Sequence, residues 1–338
     1  MTGQTGAGQA GQVIFTRGGV PESLHRVHVA VVDAGRRQVA ACGDADLVTF
    51  PRSSSKPVQA LPLALAAPEL PGDELAIACA SHAGTPEHLA VVARLLARSG
   101  STVEDLRCGT HPPFDPAAAA DLIRRGEQPT PLHHNCSGKH AGMLLACVLN
   151  GWPREGYTEQ PHPLQLRIRE LHADLGGVAM DDVHVGTDGC SVPALALPLH
   201  GMARVFARLA APAESLAGPL APALERVFGA MTAHPLLIAG PGRLDTTLMS
   251  LVPGLAAKMG AEAFYGMALR ETPRGPLGVA FKVQDGGERA RPHVALAMLE
   301  ALGVPVTAEL RALAPNVQYN WAGREVGTAE VELPLRWA

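Results

Sequence analysis

Ser53 and Lys56 stand three residues apart in the run Arg52-Ser53-Ser54-Ser55-Lys56-Pro57. On a helix they share a face, and a neutral lysine amine there could take the proton of the serine hydroxyl. The same spacing also arises as an ordinary helix start with a solvated lysine, and this segment alone leaves both readings open. Lysine is scarce in this chain: of 28 basic residues only Lys56, Lys139, Lys258 and Lys282 are not arginine. Arginine bias in the coding sequence would explain that. A position needing an amine that can lose its proton would explain it too, since a guanidinium does not titrate in proteins.

A second serine, Ser81, follows the first pair within 30 residues, and Lys258-Met259-Gly260 comes much later. S-x-x-K, then a serine-bearing loop, then K-x-G is the order found in serine β-lactamases and penicillin-binding proteins. Lys258 could lower the pKa of Lys56 by like-charge repulsion or act as a second base for Ser81. In the bland alternative Ser81 caps a turn and Lys258 ends a helix.

Asn135-Cys136-Ser137-Gly138-Lys139-His140 and Thr187-Asp188-Gly189-Cys190-Ser191 make a second constellation. Its two cysteines lack the close paired spacing of an ordinary zinc site. A metal, a disulfide and two buried apolar thiols all fit the spacing. In the last case His140 and Asp188 are core or capping residues.

The 338 residues carry a net charge of −4, and no Lys/Arg run exceeds two. The chain therefore lacks the basic footprint of a nucleic-acid or anionic-membrane partner, and a small soluble partner is expected. The longest apolar runs, Met143 to Leu149 and Val192 to Leu199, fall far short of the ~18 residues a membrane helix needs. The opening twelve residues lack a basic start and an apolar stretch, so residues 1–12 read as a disordered tail. Residues 13–338 read as a single catalytic domain, with a helix-rich lobe at about 105–235. Six scattered cysteines in a chain of this size point to reduced thiols and a cytoplasmic location.

The elements that must position these residues follow from period and punctuation. His25 to Asp44 alternates valines around an Asp33-Ala34-Gly35 turn, which predicts a β-hairpin. A helix is expected from about Ser53, with Pro57 in its first turn, and a short apolar strand over Leu75 to Ala80. Thr85-Pro86-Glu87 opens a helix that Gly100 closes, and a short Ala-rich helical piece lies within 109–135. Ser137 is read as the cap of a helix running to Asn150, and another helix runs from Pro163 to Gly176. Val183 to Val185 is strand-like, with helices at about 193–210 and 219–233. Leu277 to Val283 reads as a strand, 292–302 as a helix and Glu325 to Leu333 as a last strand. The fold class is α/β (α+β): an antiparallel sheet built from N- and C-terminal segments with helices around it.

The strings RSSSKPVQALPL, CASHAGTPEHL, NCSGKHAGML, HPLQ, DGCSVPALALPL, FARLA, MTAHP, AGPGRLDTTLM and KMGAE closely resemble the asparaginase II family, the rhizobial-type L-asparaginases, over about residues 13 to 300. The resemblance implies a serine β-lactamase/glutaminase-like fold and a homodimer. It implies two Ser-Lys pairs, Ser53 with Lys56 and Ser81 with Lys258, and places Cys136, Lys139 and Cys190 around a zinc that tunes the site without being essential. It implies that Arg52, His140 and Asp188 lie near the substrate, Arg52 as a candidate for its α-carboxylate, and no organic cofactor. His133-His134 departs from the asparagine usual in the family, and Lys282 competes with Lys258 for the second lysine. The expected function is L-asparagine hydrolysis to aspartate and ammonia through a Ser-Lys acyl-enzyme. The alternatives are a β-lactamase or peptidase-like serine hydrolase, and a non-catalytic zinc- or amino-acid-binding protein of the same fold.

Overall fold

The alternating valines of the N-terminal region form the spine of a nine-stranded antiparallel sheet in the computed structural model, which describes residues 8–215 and 219–338. The first strands are β1 (Gly11–Arg17), β2 (Val20–Asp33), β3 (Gln38–Cys42) and β4 (Val48–Thr49). The middle of the chain adds β5 (His184–Thr187) and β6 (Pro193–Pro198). The last third supplies β7 (Leu255–Met259), β8 (Phe264–Leu269), β9 (Leu277–Val283), β10 (Val317–Tyr319), β11 (Glu325–Glu332) and β12 (Arg336–Trp337). The large sheet runs β10-β11-β1-β2-β9-β8-β7, with β3 pairing both β2 and β12; β4-β6-β5 form a small separate sheet.

The expectation of a sheet assembled from both ends of the chain is met: Val13 faces Val331, and Val29 faces Phe281. Every residue of β9 is buried, as a strand covered on both faces must be. One cover is the helix Leu199–Ala210, which packs across β2, β8 and β9. Its approach is so close that a Cβ on Gly278 would overlap the backbone of Ala203 and Ala207.

The expected helix boundaries at Pro163 and Gly176 are observed. His162 accepts the Leu164 N–H, Pro163 tolerates the first turn, and Gly177 takes the left-handed conformation at φ 65°. Residues 1–7 of the expected tail lie outside the described residues, and Gly11 and Gln12 already belong to β1.

Four readings need correction. Leu75 to Ala80 is no strand: Gly72–Ala78 is a helix with Asp73 and Glu74 in its first turn, favourable at a helix N-terminus. A short run buried on all sides does not distinguish the two by period. Pro193–Pro198 is strand where a helix was expected, because pairing with both β4 and β5 overrides the Ala/Leu preference. Ser137 does not cap its helix: Cys136 holds that position, and Ser137 Oγ is spent on Leu132 O and His82 Nε2. Glu325–Glu332 is followed by one more short strand, β12. Among the described residues no helix is long and apolar enough to cross a membrane.

Candidate active site

Arg52–Ser55 forms a 3₁₀ turn that runs into the helical turn Lys56–Gln59, with Pro57 where its missing N–H costs nothing. Arg52 is held at φ 52°, a left-handed conformation that costs a non-glycine residue on the order of 1–3 kcal/mol. Two contacts, one with β7 and one with the residue after it, fix the turn. Ser54 Oγ donates to Lys258 O at 2.6 Å, and Gly260 lies so near Pro51 that a Cβ would overlap the Pro51 carbonyl oxygen.

Lys56 is 1% exposed and extends inward, donating to Ala80 O at 2.6 Å and to Ser81 Oγ at 2.9 Å. A buried amine needs such hydrogen-bond partners. The expected Ser53–Lys56 and Ser81–Lys258 pairs are therefore not the hydrogen bonds formed. Lys56 is bonded to Ser81, and Lys258 to Asp245. Ser53 Oγ and the Ser53 N–H have no partner among the described residues, whereas the Ser81 N–H is spent on Ile238 O at 2.8 Å. Both serines open onto one cavity of about 360 Å³, lined also by Phe114, Asn135, Arg243, Met259, Ala261 and Glu288.

Lys258, on β7, is fully buried and lies 3.5 Å from Asp245 Oδ2, which also accepts the Met259 N–H at 3.0 Å. Burial, aided by the positive charge of Lys56, pulls Lys258 down to about 8 against the opposing pull of Asp245. Tyr265 lies close by, and burial together with the Asp245 charge pushes its phenol up; among the described residues neither Tyr265 Oη nor Asp245 Oδ1 has a hydrogen-bond partner. The competitor Lys282 sits elsewhere, donating to the backbone oxygens of Glu262 and Val283.

Cys136, Lys139 and Cys190 converge. Lys139 Nζ is 2.8 Å from Cys190 Sγ; Cys136 Sγ donates to Asn135 Oδ1 and Cys190 Sγ to Asp188 Oδ2, each at 3.6 Å. The neighbouring Cys190 holds Cys136 well below the ordinary thiol range against burial, with Lys56 and Lys139 reinforcing it, and Cys136 in turn raises Cys190. Burial would lower Lys139, but Cys190, Cys136 and Asp188 outweigh it and hold the ammonium charged. All six cysteines are free. Among the described residues no three His, Cys, Asp or Glu side chains converge to hold a metal. A metal here would have two sulfurs and the Lys139 amine, and the amine must first give up its proton.

The other sequence-selected residues are close by but off the cavity wall. Arg52 donates both Nε and Nη2 to Asp188 Oδ1, at 2.8 and 2.6 Å. Burial would raise Asp188, but Lys139 and Arg52 hold its carboxyl below the usual range. His140 is fully buried behind Cys190, bonded to Tyr157 Oη at 2.8 Å and pushed down by burial to about 4, so it is neutral. His134, at the family departure, tilts against His111, which stacks on Phe114 of the cavity wall. Asp245, Tyr265, Arg243 and Glu288 were not found from sequence; an isolated residue in no short motif gives no signal until the fold places it.

The L-asparaginase II family model matches residues 13–331. The chain belongs to the L-asparaginase II family. The match extends past the C-terminal limit of the resemblance read from its motifs. No curated protein matches the sequence. Among solved structures it is similar to the native form of Mglu, at 16% identity over 82% of this chain and 64% of that one, with a TM-score of 0.42. It is also similar to the Bacillus subtilis glutaminase YbgJ in covalent complex with 5-oxo-L-norleucine, at 12% identity over 83% of this chain and 89% of that one, with a TM-score of 0.38. Likenesses this loose add nothing to the family assignment.

Proposed function

We propose that this L-asparaginase II family member hydrolyses the side-chain amide of L-asparagine to L-aspartate and ammonia through a serine acyl-enzyme. The observation that carries the reading is the shared cavity of Ser53 and Ser81 with Lys56 Nζ 2.9 Å from Ser81 Oγ. Ser53 attacks the amide carbon, and Ser81 passes its proton toward Lys56, which returns it to the departing ammonia. The Ser53 N–H, without an acceptor among the described residues, is a donor for the developing oxyanion. Water then cleaves the acyl-enzyme, with Lys258, near neutrality at about 8, as the second amine of the site. Zinc, where bound, would be held by Cys136, Cys190 and a deprotonated Lys139 and would supply charge and ordering.

Ammonia release from L-asparagine and L-glutamine, and the colour change of a chromogenic β-lactam, measured on one preparation, test the reading. Turnover of asparagine is expected. Cleavage of the β-lactam alone would replace the reading with a β-lactamase, and binding without turnover would replace it with an amino-acid-binding protein.

A further inference from the structure

The cavity that holds the two serines carries one basic and one acidic wall residue, Arg243 and Glu288. Arg243 is the residue before the helix Leu244–Leu251, and Glu288 opens the 3₁₀ turn Glu288–Ala290. Among the described residues Arg243 has no carboxylate partner: its one side-chain hydrogen bond runs from Nη2 to Met259 Sδ at 3.4 Å. A thioether is a weak acceptor, so the guanidinium keeps its capacity for a bidentate anion. Arg52, the residue first expected to take a carboxylate, already spends two nitrogens on Asp188 and does not line the cavity.

Glu288 is aimed by its neighbour. Oε1 accepts from Arg291 Nη2 at 2.9 Å, and the same guanidinium nitrogen anchors on Gly260 O at 3.0 Å. Oε2 carries no hydrogen bond among the described residues, and an ionised carboxylate has acceptor sites to spare. Phe114, Met259 and Ala261 supply the apolar part of the cavity wall. A fixed cation and anion on one small cavity match a zwitterion, and a free α-amino acid is the compact molecule that carries both charges on one carbon.

We infer that Arg243 and Glu288 form a zwitterion clamp, Arg243 taking the α-carboxylate and Glu288 the α-ammonium of the amino acid whose side-chain amide reaches the serines. The inference rests on the asparagine reading and names what selects the substrate. The clamp favours free amino acids over peptides, in which one or both charges are lost to peptide bonds.

Steady-state ammonia release with three amides separates the two halves: L-asparagine, β-alaninamide, which lacks the α-carboxylate, and succinamic acid, which lacks the α-amine. Arg243→Gln is expected to reduce the kcat/KM preference for asparagine over β-alaninamide by about tenfold to a hundredfold, through KM, the loss expected for one charge-assisted contact. Glu288→Gln is expected to reduce the preference for asparagine over succinamic acid similarly, and Arg243→Lys to restore part of the first loss. Unchanged preference ratios in both variants overturn the clamp, as does a penalty equal on all three amides. Should the wild type release no ammonia from asparagine, the asparagine reading falls while calorimetry still decides the clamp. L-aspartate binding to Ser53→Ala that weakens on adding Arg243→Gln supports it, and no binding, or binding that does not weaken, overturns it.

Discussion

Lys139 and Lys258 are buried to the same degree, 2% and 0% exposed, yet their surroundings drive them in opposite directions. Lys139 meets two thiols and the Asp188 carboxylate and is held charged; Lys258 meets one carboxylate and a second lysine and drops to about 8. Burial penalises both ammonium groups alike, so the difference comes from the charges that share their pockets. One molecule thus keeps a fixed cation beside its thiols and a titrating amine beside Asp245.

The largest effect separates the serine side from the thiol side. Ser53→Ala and Ser81→Ala are each expected to lower kcat by on the order of 10⁴-fold with the folded structure retained by circular dichroism. Either variant keeping more than about a tenth of wild-type activity would remove that serine from the chemistry. Lys56→Arg should be comparably inactive, because a guanidinium accepts no proton.

Next in size is the pH dependence of the titrating lysine. The rate is expected to rise with pH through about 8 as Lys258 loses its proton. Asp245 holds that proton on, so Asp245→Asn should move the midpoint lower. A midpoint that moves up, or no limb in that range, would show that Lys258 is not needed as a neutral amine. On the thiol side the expected changes are smaller: Cys136→Ser or Cys190→Ser should remove any zinc found by elemental analysis of chelator-free protein. Chelation of wild type should raise KM more than it lowers kcat. Complete loss of kcat, restored by zinc alone, would contradict the Ser-Lys chemistry.

The smallest effect concerns burial with no ionic partner. His172 is fully buried, its side chain hydrogen-bonded among the described residues only to Ile168 O, and lowered by burial to about 4. Between about 6.5 and 4 the unfolded chain binds a proton that the folded one refuses, so stability falls as pH drops across that window, by at most about 1.4 kcal/mol per pH unit for this group. His172→Leu should flatten the slope of Tm against pH there. An unchanged slope would assign the acid sensitivity to other groups.

Much of this was legible in residue order where a local device enforces the structure. Thr85, Pro86 and His88 make a capping box that any chain context would respect, and Pro163 and Gly177 bound their helix in the same way. The serines and Lys56 were legible because they sit in short motifs. Their pairing was not, since it depends on Lys56 reaching Ala80 O across the core. Strands β7 and β8 gave no clear period because both are buried almost throughout. Asp245 and Arg243 became visible only when β7 came to lie against the segment that carries them.

The sheet that joins the two ends of the chain also sets the order of events during synthesis. Strands β1 and β2 are made early, but β11 and β9, their outer and inner neighbours, emerge some hundreds of residues later: Gln12 is bonded to Glu332, 320 positions away. At about 5–20 residues per second, the valine-rich N-terminal strands wait tens of seconds for the partners that cover them. Pairing of such high contact order is intrinsically slow, and the waiting edges are the part of the nascent chain most open to association with other copies. A ribosome-bound chain halted before β9 should therefore engage holdase chaperones through its first thirty residues, and release them once β9 and β11 have emerged.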